Sequence, residues 1–206
     1  TAYFQVFNEP NLEDEWGAPA PHSTARFLEY WIPAAEAVSR AGGYAGLPGP
    51  SPVGDYADVR FVSETVGLLL AWNRQDLLNR AWLAVHNYTL GAVADCAADE
   101  AGFGRYRRYN REIVAALGVS LPMIATEGGP VPPPNGRWGV GGITPEYHAA
   151  CLSAIYRWLP QREAYLLAYA PWLLGNQVGG GHDPRWEAAA WFQAGHTLPV
   201  VEALKR

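Results

Sequence analysis

Residues 4–11, Phe4-Gln5-Val6-Phe7-Asn8-Glu9-Pro10-Asn11 ("FQVFNEPN"), run strand-forming residues straight into an Asn-Glu-Pro triplet. Positions 3 to 7 lack clean apolar/polar alternation, which is how a strand buried on both faces reads. The triplet then puts a carboxylate, Glu9, where that strand stops. Runs of the same form occur at 83 to 88, 121 to 126 and 164 to 170, with a weaker one at Tyr44-Ala45-Gly46-Leu47 between Gly-rich and Pro-rich turns.

Helical patterns separate these runs. Val59, Val62, Val66 and Leu69 recur at steps of three and four, as do Tyr106, Tyr109, Ile113 and Leu117, giving each segment one apolar face. Thr24 to Arg40 reads as a helix closed by Gly42-Gly43, with Pro33 expected to kink it. Thr144-Pro145 supplies an N-cap and a favoured first-turn proline for a helix carrying Tyr147, Cys151, Ile155 and Trp158. A final helix is expected from about Pro184, interrupted near Pro199.

Strand and helix alternate five times, which implies an α/β fold of parallel strands with right-handed crossovers. Either an open doubly wound sheet or part of a (β/α)8 barrel satisfies that pattern. With no internal repeat and no linker, residues 1–206 read as a single catalytic-type domain. The glycine- and proline-rich patches, 46 to 52, 128 to 142 and 179 to 181, fall after candidate strands, where α/β folds carry their sites.

The composition narrows the function. The 206 residues are 49% hydrophobic and 17% charged, enough for one sizeable core. Fifteen Lys and Arg against twenty Asp and Glu leave a formal charge of −5, so the broad positive field that nucleic acid or an anionic membrane needs is missing. No apolar run reaches the roughly 18 residues of a membrane span. The chain opens at Thr1-Ala2-Tyr3 without Met or a signal-peptide pattern, compatible with an upstream segment. Cys96 and Cys151 form no disulfide framework and read as buried thiols, and the five histidines include no pair at metal-ligand spacing, so neither a metal nor a cofactor is expected. Arg105-Tyr106-Arg107-Arg108-Tyr109-Asn110-Arg111 mixes basic and aromatic residues but has the spacing of a solvated helix face. Gly179-Gly180-Gly181-His182-Asp183 lacks the Lys of a phosphate cradle and reads as a loop, with substrate contact by His182 or Asp183 as the functional alternative. Nine Trp and eleven Tyr suit either packing or the flat apolar faces that hold sugar rings.

Four strand ends carry chemistry. They are Asn8-Glu9-Pro10, His86-Asn87-Tyr88, Thr126-Glu127-Gly128-Gly129 and Ala170-Pro171-Trp172. Parallel strands would gather all four at one C-terminal rim, bringing together Glu9 and Glu127 from distant parts of the chain. Two carboxyls across a cleft can cleave a glycosidic bond, one protonating the leaving oxygen while the other attacks or stabilises the sugar carbon. Two nearby carboxyls resist double ionisation, which keeps one of them protonated, and a phenol such as Tyr88 can hold the other as an anion. Taken singly, each glutamate also suits a helix first turn, where the dipole favours a carboxylate.

In the order of these strand ends the sequence resembles the clan A glycoside hydrolases, retaining enzymes on a (β/α)8 barrel. In that clan strand 4 ends in Asn-Glu-Pro, strand 6 often in His-x-Tyr, strand 7 in a Glu after Thr or another small residue, and strand 8 in Trp. The resemblance runs from Asn8 to Trp172. It implies a partial TIM-type barrel of about five βα units corresponding to strands 4 to 8. It also implies Glu9 as acid/base and Glu127 as nucleophile, about 5 to 5.5 Å apart. Asn8 would contact the hydroxyl beside the reacting carbon, Tyr88 would orient Glu127, Trp172 would floor the sugar, and His86 would line the same pocket. Trp16 and Trp138, in the loops after the two glutamates, are sugar platforms or loop anchors. The clan's strands 1 to 3 would precede Thr1, about 90 to 100 residues at roughly 30 per unit. Five units alone would expose two sheet edges, so a barrel-completing N-terminal segment or second copy is the expected partner, alongside an oligosaccharide or glycoside substrate. The alternative is a partial barrel that binds carbohydrate, or assembles with a complementing chain, with little or no turnover.

Overall fold

Five parallel strands form one sheet: β1 (Tyr3–Gln5), β2 (Tyr44–Leu47), β3 (Ala81–Thr89), β4 (Met123–Pro130) and β5 (Leu166–Tyr169). This is a computed structural model, and it describes residues 2–17, 22–89, 99–130, 143–176, 184–193 and 195–205. Tyr3 pairs with Tyr44 and Ala45 with Ala81; beyond them Leu83 N–H donates to Pro122 O at 2.9 Å and Met123 N–H to Tyr165 O at 2.7 Å. The spatial order β1-β2-β3-β4-β5 follows the chain. A doubly wound sheet reverses its order at a switch point, whereas strands laid down in sequence are those of a (β/α)8 barrel. The fold is therefore α/β, a partial TIM-type barrel of five strands.

All nine residues of β3 are buried, as the lack of clean alternation over 83 to 88 predicts. β1 departs from the same expectation, because Tyr3, Phe4 and Gln5 are exposed. Among the described residues only β2 flanks β1 in the sheet, so an edge position overrides the buried-strand reading.

The chain divides into two compact substructures: Thr1–His86 with Tyr106–Thr126 and Ala164–Ala168, and Asn87–Arg105 with Glu127–Glu163 and Tyr169–Arg206. In the first lie α1 (Thr24–Arg40), α2 (Asp58–Ala71), the single turn α3 (Gln75–Leu78) and α4 (Tyr106–Leu117). Ser23 caps α1 by accepting Arg26 N–H, and Pro33 sits inside the helix without ending it. Its buried face, Phe27, Leu28, Trp31 and Ala35, packs on β2, and Trp31 Nε1–H donates to Gly46 O at 2.9 Å. α2 and α4 pack together, and Tyr109 Oη donates to the buried Asp58 carboxylate at 2.5 Å. Tyr106, Tyr109 and Ile113 are wholly buried, so the tyrosines of the Arg/Tyr-rich stretch belong to the core.

The second substructure is built on α5 (Pro145–Trp158), whose N-cap Thr144 accepts Tyr147 N–H at 3.1 Å. Cys151, Leu152 and Ile155 form a core with Phe103 and with Val200 of α6 (Pro199–Leu204). Cys151 is a buried thiol 3.6 Å from Thr89 Oγ1. The expected helix from Pro184 is instead a 3-10 turn, Pro184–Ala189, followed by the antiparallel pair β6 (Phe192–Gln193) and β7 (His196–Thr197). The cause lies in distant backbone groups: Trp191 N–H and Phe192 N–H donate to carbonyls of Leu173 and Leu174, which removes them from any continuing helix.

His148, on the buried face of α5, is fully enclosed, and among the described residues neither ring nitrogen has a hydrogen-bond partner. Burial pushes its pKa down to about 4. Because the folded value lies below the unfolded one, its contribution is fully present above pH of about 6.5 and is lost as pH falls toward about 4. The loss approaches about 3 kcal/mol, taking about 1.4 kcal/mol per pH unit. Urea unfolding of wild type and His148→Leu at a series of pH values checks this. The stability difference between them is expected to be flat above pH 6.5 and to move in favour of the leucine variant below it.

Candidate active site

Glu9 is carried by a strained loop. β1 ends at Gln5 because Phe7 takes φ 68°, and Glu9 follows with φ 27°, two residues with side chains in the left-handed region. Such conformations cost on the order of 1–3 kcal/mol each and persist only where the surroundings enforce them. The last residue of the opening stretch, Asn11, does much of that enforcing. It is wholly buried, its Nδ2 donates to Ser51 O and Tyr56 O at 2.8 and 2.9 Å, and its Oδ1 accepts Ser51 N–H at 2.7 Å. Leu12 N–H closes a turn on Glu9 O at 2.9 Å, and Pro10 O accepts Trp16 Nε1–H at 3.0 Å.

The Glu9 side chain meets the buried His86, with Oε1 2.7 Å from Nδ1. Nδ1 of that imidazole can act as donor or acceptor according to tautomer, so it can hydrogen-bond the carboxyl in either protonation state. Gly49 makes room for that ring. A Cβ there would lie 2.5 Å from His86 Cδ2, so any larger residue displaces the imidazole.

In the second substructure Glu127 lies within β4, and Tyr88 Oη donates to its Oε2 at 2.6 Å. A phenol donating to a carboxylate stabilises the anion, the state a nucleophile needs. Gly128, the next residue, lies where a Cβ would meet Asn87 O at 2.6 Å, which explains why only glycine follows Glu127 at this point. Trp172 N–H donates to Gly128 O at 2.7 Å, so the strand end that bears Trp172 is fastened beside the one that bears Glu127. Trp172 is 38% exposed.

Sequence reasoning missed Trp186. It comes from the 3-10 turn, with its ring centroid 6.2 Å from that of Tyr88 and 6.3 Å from that of Trp172. Two tryptophans and a tyrosine thus gather around the Glu127 end of β4. Asn8 gives its Nδ2 to Glu15 Oε1 at 2.9 Å, and Trp16 packs against Tyr30 with centroids 6.3 Å apart. Trp138, Cys96, His182 and Asp183 lie outside the described residues. No helix among the described residues is long and apolar enough to cross a membrane.

No protein-family model matches the chain, and no curated protein matches its sequence. Solved structures do. An exo-β-1,3-glucanase of family GH128 from Aureobasidium namibiae superposes with a TM-score of 0.60 at 12% identity, over 99% of this chain and 66% of its own. The GH39 enzyme from Xanthomonas axonopodis pv. citri gives 0.66 at 18% identity, over 98% of this chain and 39% of its own. A GH39 β-xylosidase from Caulobacter crescentus gives 0.60 at 20% identity, over 98% and 40%. The likeness is one of fold, the partial (β/α)8 barrel, shared with these glycoside hydrolases. The chain spans about two thirds of the GH128 enzyme and about two fifths of the GH39 enzymes.

Proposed function

We propose that this protein is a retaining glycoside hydrolase acting on β-linked sugars, with Glu9 as acid/base and Glu127 as nucleophile. The observation that carries this reading is the difference between the two carboxyls' partners: an imidazole on Glu9 and a phenol on Glu127. His86 and Tyr88 are two residues apart on β3, which strand periodicity assigns to one face, and this supports treating the two glutamates as a pair. In the first step Glu9 gives its proton to the glycosidic oxygen while Glu127 attacks the anomeric carbon, breaking the bond and forming a glycosyl ester. In the second, the Glu9 carboxylate takes a proton from water as that water attacks the same carbon and releases Glu127. Trp172 and Trp186 would hold the apolar face of the sugar, and Asn8 would reach a neighbouring hydroxyl once released from Glu15. The folds it resembles favour glucose or xylose chains as substrate class. Further strands, from a preceding segment or a second copy, would complete the barrel, and the exposure of Tyr3 and Phe4 on the β1 edge supports this.

The test is hydrolysis of a panel of aryl β-glycosides by pure, folded protein. Turnover that retains anomeric configuration is expected. Absence of turnover above buffer, with sugar binding intact, would leave only a carbohydrate-binding module. Tyr88→Phe removes one charge-assisted hydrogen bond, and its kcat/KM is expected to fall about 10- to 100-fold with little change in Tm.

A further inference from the structure

Beside the loop of Glu9, within the first substructure, lies a cavity of about 260 Å³ lined by Phe7, Asn8, Glu15, Trp16, Arg26 and Tyr30 among others. It is smaller than the roughly 300–1,000 Å³ of pockets for drug-sized ligands, so it suits one monosaccharide-sized ring. Its walls are aromatic and held in place. Trp16 is fixed by its indole hydrogen bond to Pro10 O, the Arg26 guanidinium lies 5.2 Å over its ring, and Tyr30 meets it edge-on. Its polar groups complement one another. Arg26 only donates and makes no ion pair among the described residues, Glu15 only accepts, and the Asn8 amide does both.

That combination selects by charge as well as by shape. An anion would meet Glu15 and a cation would meet Arg26, whereas a neutral polyol can accept from the guanidinium and donate to the carboxylate. The two residues on either side of Glu9, Asn8 and Pro10, both line the cavity, so a ring held there lies next to the loop that carries the proton donor. Phe7, at a left-handed φ and 49% exposed, forms part of the cavity wall.

We infer that this cavity is a further sugar-binding subsite, taking one neutral pyranose unit of a β-linked chain beside the unit being cleaved. The inference rests on the glycosidase reading above. It makes the protein an enzyme of oligosaccharides rather than of short glycosides, with Arg26 and Tyr30 setting chain-length preference.

The experiment compares wild type, Arg26→Met and Tyr30→Ala on three probes: an aryl β-glycoside of one sugar, a β-1,3-linked glucose trisaccharide and a β-1,4-linked xylose trisaccharide. Calorimetric titration with the same trisaccharides runs in parallel, and unfolding curves verify that the exposed positions changed leave the fold intact. The loss of kcat/KM on the preferred trisaccharide is expected to exceed the loss on the aryl glycoside by fivefold or more in each variant, with trisaccharide affinity falling by a similar factor. Equal losses on both substrate types, or none, would overturn the subsite while leaving the glycosidase reading intact. Trisaccharide binding that weakens in the variants, without any hydrolysis by wild type, would keep the subsite and remove the enzyme. Neither binding nor hydrolysis by wild type would remove both.

Discussion

Glu127→Ala is expected to lower kcat by on the order of 10⁴ to 10⁶, the scale seen when a covalent nucleophile is removed. The geometry explains why the loss should be so large and so local. Glu127 is set in β4 rather than on a loop, Gly128 packs against the backbone of Asn87, and Tyr88 Oη holds the carboxylate at 2.6 Å. Removing the carboxylate leaves that scaffold in place with a space where the anion stood. Added azide should therefore enter the space, attack the anomeric carbon from the vacated side and give a glycosyl azide of inverted configuration. Recovery of turnover with that product, measured on an activated aryl glycoside, supports the nucleophile role. Recovery with retained configuration would move that role elsewhere.

Glu9→Gln is expected to behave differently, because a proton donor matters in proportion to the leaving group's need. On glycosides with poor leaving groups kcat/KM should fall by about 10²- to 10⁴-fold. On dinitrophenyl glycosides, whose leaving group departs as an anion, it should change little, while release of the covalent intermediate slows and makes a burst visible. The amide keeps the size of the carboxyl and preserves a hydrogen bond to His86, so the strained turn at Phe7 and Glu9 stays braced by Asn11. Equal losses on both classes of substrate, measured by steady-state kinetics, would mean that Glu9 positions sugar rather than transferring a proton.

How much of this was legible in the sequence depends on whether the deciding interaction is local. α1, α4 and α5 are visible because their apolar spacing and closing or capping residues, such as Gly42-Gly43 and Thr144-Pro145, lie within the segments themselves. The glutamates are visible because each follows an apolar run and sits in a recognisable triplet. Alternation alone left barrel and open sheet undecided, since strand order depends on which distant backbones pair; the resemblance of the four strand ends pointed to the partial barrel, and the strand order agrees. Pro184 to Ala190 looks helical by composition, yet the carbonyls of Leu173 and Leu174 claim the amides that a helix would need. That same rearrangement brings Trp186 to Tyr88 and Trp172, which is why periodicity alone could not find it. Asn11 was hidden for the opposite reason: next to Asn8-Glu9-Pro10 it looks like one more polar loop residue, and only the burial of its amide against Ser51 and Tyr56 shows that it supports Glu9.

The most direct test of the account is covalent trapping. A dinitrophenyl 2-deoxy-2-fluoro-β-glycoside, glucosyl or xylosyl, slows both steps but release most, so the sugar accumulates on the nucleophile. Proteolysis and mass spectrometry are expected to find the added fluorosugar on the peptide containing Glu127, with Glu9 unmodified. A label on any other residue, or hydrolysis that proceeds without a trappable intermediate, would contradict the double-displacement mechanism proposed for this protein.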